Sequence, residues 1–317
     1  MKKNVLLLET IADEAYQLLA ESQNIQIFTA YGEQSLTDIL SENSIDAVIT
    51  RGKGQVNLQL MDACPDLKVA ARCGVGLDNL NVKEATARKI KVVNAPGSNA
   101  STIAEHTISL ILMLQRNLYN AINEVKSSNW NWRNQYEGDE INGKTLGILG
   151  LGNIGKKVAK IADAFGMKVV YWNRSKVESP YEFLTFEEVL RQSDIISIHL
   201  PLVTETKQLI DKKALALMKP NAILINTARA IIVDQDALLE ALNNKTIAGY
   251  GADVPMATPP SANDPLMIHP NTLITPHVGS LTTTTYTNMC VSTVKNVLAI
   301  LNEQQPQMES IFNRNEL

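Results

Sequence analysis

The chain has 317 residues, of which 45% are hydrophobic and 20% are charged, and its formal net charge is −4. This length allows two domains with separate cores, and the composition is that of a folded globular protein. The acidic balance argues against a nucleic-acid-binding surface, and no apolar run reaches the roughly 18 residues that a membrane-spanning helix needs.

The N-terminal segment MKKNVLLLET has two lysines and a short apolar run that ends before Glu9. This run is too short for the apolar core of a secretory signal, so we interpret it as a first β-strand. The cysteines, Cys64, Cys73 and Cys290, are odd in number and lack CxxC spacing. This pattern favours a reducing compartment, and therefore the cytoplasm. The histidines are dispersed, so no metal site is predicted.

Short apolar runs alternate with amphipathic stretches in the first third of the chain. The predicted strands are NVLLL from Asn4, IQIF from Ile25, DAVIT from Asp46, LKVAA from Leu67 and KVV from Lys91. The stretches IADEAYQLLAES and SLTDILSEN have helical periodicity. This order of strands and helices predicts a parallel sheet that is covered by helices.

A long amphipathic helix is predicted from Ser101 to about Lys126, with Thr102 and Glu105 spaced as a capping box at its start. The polar stretch SSNWNWRNQYEGDEINGK is predicted to be a loop. A second series of strands follows, namely TLGILG, KVVYWN, DIISIHLP, AILINTA, IAGYGAD and TLITP. A helix over residues 283–304 ends the chain. Two series joined by one helix predict two domains, with a ligand in the cleft between them.

The segment GLGNIG lies between the predicted strand TLGIL and the predicted helix NIGKKVAKIADAF. In this setting Gly150 permits a tight turn, Gly152 lets the backbone approach a diphosphate, and Gly155 lets helix and strand pack closely. The free N–H groups at the helix N-terminus would bind the diphosphate. The segment therefore predicts a dinucleotide site.

The end of the next strand reads Trp172-Asn173-Arg174-Ser175. Enzymes that use NAD usually have Asp or Glu here, because a carboxylate accepts hydrogen bonds from the ribose and repels a 2′-phosphate. Asn173 is neutral, and the guanidinium of Arg174 with the hydroxyl of Ser175 suits a phosphate. We expect NADP(H), with NAD(H) as the alternative in which Arg174 is a solvated loop residue.

Six segments together resemble the D-isomer-specific 2-hydroxyacid dehydrogenase family over nearly the whole chain. They are ARCGVGLDNL, NAPGSNASTIAEHTISLILML, GKTLGILGLGNIGKKVAKIADAFGMKV, SDIISIHLPL, MKPNAILINTARAIIVDQDALLEAL and TPHVGS. The resemblance implies two Rossmann-like α/β domains with parallel sheets and a homodimer. Residues 1–100 with 283–317 would form a discontinuous substrate-binding domain, and residues 101–282 the dinucleotide-binding domain. The implied reaction is hydride transfer between a nicotinamide and a 2-oxo or 2-hydroxy acid.

The resemblance also assigns catalytic residues. Arg229 in NTARA matches the arginine that binds the substrate carboxylate and polarises the carbonyl, a role that suits a planar guanidinium. His277 in TPHVGS matches the general acid/base. Thr258 occupies the position where the family has a glutamate, so we expect a lower pKa for His277 rather than an inactive protein. Asp253 or Asp264 is a candidate substitute carboxylate.

Substrate and cofactor contacts are assigned in the same way. The peptide N–H groups of Val75 and Gly76 would bind the substrate carboxylate, and Arg51 and Arg72 match arginines that bind phosphate in phosphoglycerate dehydrogenases. Further residues expected to contact the cofactor are Asn153, Ile154, His199, Pro201, Thr206, Thr227, Ala228 and Asp253. His106 is expected to be a packed or interfacial residue of its helix, and Cys73 a small core residue.

Two substrate classes fit the sequence, and we rank the phosphorylated acids slightly ahead. The arginines favour 3-phosphoglycerate and 3-phosphohydroxypyruvate, whereas Asn173-Arg174-Ser175 favours a hydroxypyruvate or glyoxylate reductase. The missing glutamate is compatible with a dinucleotide-sensing interaction protein or with a formate-type enzyme. Retention of Arg229 and His277 argues against the first, and threonine in place of glutamine at the glutamate position argues against the second.

Overall fold

The computed structural model describes residues 2–257 and 259–317, so the prediction for Thr258 lies outside the described residues. The chain divides into two compact units, one formed by Met1–Asn99 with Leu281–Leu317 and the other by Ala100–Ser280. Among the helices of the described residues, none has the length and apolar character that a membrane crossing requires.

Both units alternate strands and helices. The strands are β1 (Lys3–Leu7), β2 (Ile25–Thr29), β3 (Ala47–Thr50), β4 (Val69–Arg72), β5 (Lys91–Val93), β6 (Thr145–Leu149), β7 (Lys168–Trp172), β8 (Glu182–Phe183), β9 (Ile195–Ile198), β10 (Ile223–Asn226), β11 (Gly249–Ala252) and β12 (Thr272–Ile274). The first helices are α1 (Asp13–Ala20), α2 (Leu36–Glu42), α3 (Leu58–Asp62), α4 (Val82–Ala87), α5 (Ala100–Gln115) and α6 (Leu118–Lys126). They are followed by α7 (Asn153–Ala164), α8 (Phe186–Gln192), α9 (Lys212–Leu217), α10 (Gln235–Asn243), α11 (Pro265–Ile268) and α12 (Thr283–Leu301).

Each unit is built on one parallel sheet. The sheet of the first unit has the order β2-β1-β3-β4-β5, and that of the second unit has the order β12-β11-β10-β9-β6-β7-β8. The chain therefore reverses its direction across the sheet between β1 and β3 in the first unit and between β6 and β9 in the second. Such a reversal opens a crevice at the carboxyl ends of the strands, where ligands of open parallel sheets bind.

The strands are apolar because helices cover both faces of each sheet. In β1, Val5 and Leu7 belong to a core cluster that includes residues of α1 and α12, whereas Leu6 belongs to the cluster on the opposite face. Burial of one such side chain contributes roughly 1.5–3 kcal/mol. The terminal helix α12 packs on α1 and β4 of the first unit.

The predicted helix from Ser101 to Lys126 is wrong as a single element. It is broken between α5 and α6 at Asn117, whose φ of 47° lies in the left-handed region that asparagine tolerates at helix ends. The carbonyl of Gln115 accepts a hydrogen bond of 2.8 Å from the N–H of Asp139, so the last turn of α5 is bonded outside the helix. Because α5 begins at Ala100, Thr102 lies inside it and the predicted capping box is also wrong.

Three smaller differences concern two short elements and the end of one helix. The predicted loop after α6 contains a 3-10 helix at Trp130–Gln135, and the terminal helix ends at Leu301 rather than Gln304. The two-residue strand β8 was missed, because Glu182 and Phe183 form too short an apolar run to predict a strand.

Candidate active site

The loops that follow the strands of the second unit carry most of the residues singled out in the sequence. In the order of the sheet they are His277 after β12, Asp253 after β11, Arg229 after β10, His199 after β9, Gly150 after β6 and Asn173 after β7. Because the strands are parallel, their carboxyl ends lie at the same edge of the sheet. Gly150 and His199 follow β6 and β9, the two strands at which the chain reverses.

The conformation of Gly150 and the space around all three glycines of GLGNIG are compatible with their predicted roles. Gly150 has a φ of 104°, and a Cβ there would lie 2.6 Å from the carbonyl oxygen of His199. A Cβ on Gly155 would overlap the carbonyl oxygen of Gly150. At Gly152, in contrast, a Cβ would meet no atom within 4 Å. Protein therefore fills the space beside two glycines, and the third borders open space, as close approach of a diphosphate requires.

Helix α7 begins immediately after this turn, with Gly152 as its N-cap. Among the described residues, the N–H groups of Gly152, Asn153 and Ile154 have no acceptor, as is usual for the first turn of a helix. These groups and the helix dipole favour an anion. The turn can therefore hold the diphosphate of a dinucleotide.

Asn173 closes the glycine-rich turn from the neighbouring strand. Its Oδ1 accepts a hydrogen bond of 2.6 Å from the N–H of Leu151. Arg174 and Ser175 follow as exposed residues, and Arg174 has no hydrogen bond or ion pair with any described residue. The guanidinium is thus available to a ligand beside the turn.

His199 and the loop after it lie beside Gly150. Desolvation lowers the pKa of His199 to about 3, so the ring is neutral near pH 7. Its Nε2 lies 2.9 Å from the Oγ of Ser197. The hydroxyl of Thr206 donates to the carbonyl of Pro201 at 2.7 Å, which holds the loop in a tight turn.

Arg229 lies in a turn that Asn226 ties together. The Oδ1 of Asn226 accepts from the N–H of Ala228 at 3.0 Å, and its Nδ2 donates to the carbonyl of Arg229 at 2.9 Å. The hydroxyl of Thr227 lies 3.0 Å from that of Thr107 on α5. Asn226 was not among the residues predicted from the sequence, although an amide that ends an apolar strand is a usable signal.

His277 is exposed and has a φ of 58°, which is unusual for a residue other than glycine. The loop around it is fixed to Asp253. Oδ1 of this carboxylate accepts from the Thr275 hydroxyl at 2.6 Å and from the Val278 N–H at 2.9 Å, and Oδ2 accepts from the Gly279 N–H at 2.7 Å. Asp264, the other candidate carboxylate, caps α11 by accepting from the N–H of Leu266.

The predicted substrate loop belongs to the first unit, at the end of β4. Asn94 donates to the carbonyl of Val75 at 2.7 Å, and Ala95 donates to the carbonyl of Gly74 at 2.9 Å. Within the described part of the chain, the N–H groups of Val75 and Gly76 have no acceptor. Two adjacent unpaired N–H groups in a fixed loop can bind a carboxylate.

Arg51 follows β3, and Arg72 is the last residue of the adjacent strand β4. Both side chains form hydrogen bonds within the first unit. The Nη1 of Arg51 donates to the Tyr286 hydroxyl at 3.2 Å. Arg72 donates from Nε to the carbonyl of Arg51 at 3.2 Å and from Nη1 to the carbonyl of Gly76. Its Nη1 also lies 3.5 Å from the Asp78 carboxylate. Arg72 therefore supports the loop of Val75 and Gly76.

Glu9 was not among the residues predicted from the sequence. Its Oε1 accepts from the Thr50 hydroxyl and from the N–H groups of four consecutive residues, Arg51, Gly52, Lys53 and Gly54, at 2.8–3.1 Å. Desolvation raises the pKa of Glu9, but these hydrogen bonds outweigh it and lower the pKa to about 2. Its position just after β1, at the chain reversal of the first sheet, was the available signal.

The structure groups the predicted residues by unit. Residues of the glycine-rich turn, Arg229 and His277 follow strands of one sheet, whereas Arg51, Arg72, Val75 and Gly76 follow strands of the other. The cysteines are buried free thiols, and no cluster of potential metal ligands occurs among the described residues.

Comparison with known proteins gives consistent matches. The model of the family described as "D-isomer specific 2-hydroxyacid dehydrogenase, NAD binding domain" matches residues 108–279. The chain is 39% identical over 300 residues to the D-3-phosphoglycerate dehydrogenase of Bacillus subtilis. The aligned region covers 93% of this chain but only 56% of that relative. It is 35% identical over 318 residues to the glyoxylate reductase of Thermococcus litoralis, covering 96% of each.

Solved structures agree with this fold. The TT0316 protein of Thermus thermophilus superposes with a TM-score of 0.89 at 35% identity, over 96% of this chain and 98% of that one. An NADPH-dependent glyoxylate/hydroxypyruvate reductase of Sinorhizobium meliloti, in complex with NADP and malonate, gives a TM-score of 0.86 at 28% identity, over 98% of each chain.

Proposed function

The chain belongs to the D-isomer specific 2-hydroxyacid dehydrogenase family of nicotinamide-dependent enzymes, and we propose that it interconverts 2-oxo and 2-hydroxy acids by hydride transfer. The observation that carries this proposal is the shared sheet edge, at which the glycine-rich turn, Arg229 and His277 follow parallel strands. We also propose the substrate, the cofactor preference and the residue roles.

The glycine-rich turn would hold the diphosphate of the cofactor. Its open side at Gly152 and the unpaired N–H groups at the start of α7 fit that group. His199, Pro201, Thr206, Thr227, Ala228 and Asp253 would line the remaining cofactor surface. The nicotinamide, when bound, supplies or accepts the hydride.

Arg229 and His277 would act on the substrate. The guanidinium of Arg229 binds the carboxylate and polarises the 2-oxo group as negative charge develops on its oxygen. His277 gives a proton to that oxygen in reduction and takes it back in oxidation. The tie between Asn226 and the Arg229 carbonyl, at 2.9 Å, limits movement of the arginine backbone.

NADP(H) is the proposed cofactor, with NAD(H) as the alternative. Arg174 is exposed beside the turn and has no hydrogen bond or ion pair with a described residue. The side-chain oxygen of Asn173 already accepts a hydrogen bond from the N–H of Leu151. A guanidinium without a competing carboxylate favours a 2′-phosphate. We expect Arg174→Ala to raise the KM for NADPH roughly 10- to 100-fold and to leave that for NADH nearly unchanged.

A small unphosphorylated 2-oxo acid, such as glyoxylate or hydroxypyruvate, is the substrate that the charges around the loop favour. Arg51 lies 3.8 Å from the Glu9 carboxylate, and Arg72 lies 3.5 Å from that of Asp78. Each arginine is thus paired with an acid, which weakens its attraction for a phosphate dianion. The unpaired N–H groups of Val75 and Gly76 would bind the substrate carboxylate.

A phosphorylated substrate, 3-phosphohydroxypyruvate or 3-phosphoglycerate, is the second candidate. The observation that favours it is the position of Arg51 and Arg72, which the register of β3 and β4 brings to one sheet edge. Two guanidiniums that converge on a phosphate would bind it strongly.

A kinetic panel tests this proposal. We expect kcat/KM for glyoxylate or hydroxypyruvate to equal or exceed that for 3-phosphohydroxypyruvate, with NADPH above NADH. A strong preference for the phosphorylated acid that Arg51→Ala removes would establish the second candidate. Absence of turnover with every 2-oxo acid and both cofactors would contradict the proposed activity.

A homodimer is the proposed assembly. No residue of α6 is buried, and Ile122 and Val125 on it are 51% and 60% exposed. Trp130, just beyond the helix, is 66% exposed. Clustered apolar and aromatic side chains on a surface mark contact sites, and a second copy of the chain would cover them. The cytoplasmic location stays a prediction from the cysteines.

A further inference from the structure

His106 on α5 lies directly behind the loop that carries His277. Its Nε2 is 2.9 Å from the hydroxyl oxygen of Thr275 and 3.5 Å from Oδ1 of Asp253. A Cβ on Gly279 would lie 3.5 Å from Cδ2 of His106. The imidazole therefore faces both ends of the segment from Thr275 to Gly279.

The hydrogen bonds of Asp253 and Thr275 determine which ring nitrogen of His106 carries a proton. Three donors, two of them backbone N–H groups, point at Asp253, so this carboxylate acts as an acceptor. The single hydroxyl hydrogen of Thr275 is directed to Asp253 at 2.6 Å. The Thr275 oxygen can then only accept from His106, and Nε2 must be a donor.

The loop needs such support because His277 is strained. A left-handed conformation costs a residue other than glycine about 1–3 kcal/mol and persists only where the surroundings impose it. Asp253 holds the loop on both sides of His277, through Thr275 before it and through Val278 and Gly279 after it. His106 adds a donor to the same cluster from a separate element, α5.

We propose that His106 is a positioning residue, which holds Asp253 and Thr275 in place and thereby keeps the His277 loop in its left-handed conformation. This inference rests on the proposed function for the catalytic role of His277. The positioning itself is independent of that role and can be measured without turnover.

Amide hydrogen exchange tests the positioning. We expect His106→Phe, which keeps a ring but removes the donor, to speed exchange of the Val278 and Gly279 amides roughly tenfold, the effect of losing one hydrogen bond. His106→Gln can present an amide N–H at a similar reach, and we expect it to restore most of the protection. His269→Phe is the control, since His269 contacts Asn271 instead of this loop.

Steady-state kinetics give the second measurement. For His106→Phe we expect kcat to fall roughly tenfold with the KM for the 2-oxo acid little changed, and for His106→Gln a partial recovery. The proposal is overturned if the Phe variant exchanges Val278 and Gly279 at the wild-type rate, or if the Gln variant is as impaired as the Phe variant. If the exchange results hold and no variant or wild type turns over, the proposed function fails while the positioning stands.

Discussion

Glu9 illustrates at the residue scale how a carboxylate can shape a loop of the molecule. One oxygen of Glu9 takes the place of solvent for the peptide N–H groups of Arg51, Gly52, Lys53 and Gly54. Its side chain is only 10% exposed, so these hydrogen bonds are poorly screened. The loop that carries Arg51 therefore depends on the charge of Glu9.

Replacement of Glu9 by glutamine tests this dependence. The pKa of Glu9 is about 2 in the fold against its usual 4.5, a difference that corresponds to at most about 3 kcal/mol of stability, since solvent screening reduces it. A lowered pKa stabilises the fold above the unfolded-state value, and the contribution is lost as pH falls towards 2. We therefore expect Glu9→Gln to lower the free energy of unfolding at pH 7 by up to about 3 kcal/mol, and by less than half as much at pH 3.

Denaturant unfolding at the two pH values measures this effect. Glu33→Gln is the matched control, because Glu33 is an exposed residue of the same unit. If the loss of stability is equal at pH 7 and pH 3, the cause is a poor fit of the glutamine amide and the charge of Glu9 makes no contribution.

Thr258 is the residue at which the sequence departs from its family. We expect Thr258→Glu to raise the pKa of His277, since a carboxylate in the role that the resemblance assigns to the family's glutamate would stabilise the imidazolium. In the direction of 2-oxo acid reduction, kcat/KM falls as His277 loses its proton. The fall should therefore move to higher pH in the variant, by about one unit or more. The pH profile of kcat/KM measures the shift, and Thr258→Gln separates charge from size, since it should leave the profile unmoved.

At the scale of elements, the start of α7 combines packing with ligand binding. Residue 155 must be glycine, because the carbonyl of Gly150 occupies the space that a Cβ would need. The glycine at Gly152 faces open space and has an ordinary φ of −87°. The two positions thus have separable roles, although both belong to one motif.

Alanine at each position should separate these roles. We expect Gly155→Ala to lower the free energy of unfolding by about 1–3 kcal/mol, because the helix must move away from β6. Gly152→Ala should fold with a nearly unchanged Tm but bind NADPH at least roughly tenfold more weakly, since its methyl group occupies the diphosphate space. Thermal unfolding and fluorescence titration measure the two effects. Equal loss of cofactor affinity with no loss of stability in Gly155→Ala would contradict the packing argument.

At the scale of the whole molecule, the exposed face of α6 predicts the assembly. We expect the double variant Ile122→Glu/Val125→Glu to convert a dimer into a monomer, because two charges would be buried in an apolar contact. Sedimentation velocity measures the mass. Glu14→Lys, on the exposed side of α1, is a control for the change of surface charge. A wild-type chain that sediments as a monomer at micromolar concentration would contradict the proposal.

Most strands were predictable because their apolar runs are local and their lengths match buried parallel strands. The turn at GLGNIG was predictable for a related reason, since contacts within one strand–turn–helix unit favour glycine at these positions. The break at Asn117 was not predictable, because amphipathic periodicity continues across it. The hydrogen bond from Asp139, which satisfies the end of α5, comes from residues beyond the helix.

The sequence by itself determined the fold class and the family, and it predicted the residues of the proposed site. Only the tertiary structure decided what supports those residues. Glu9 lies 42 positions before Arg51, and His106 lies 169 positions before Thr275, so neither pairing has a local pattern. The first contact arises because a parallel sheet brings distant strand ends to one edge, and the second because α5 packs against β11 and β12. In both places a buried polar group must find its partner.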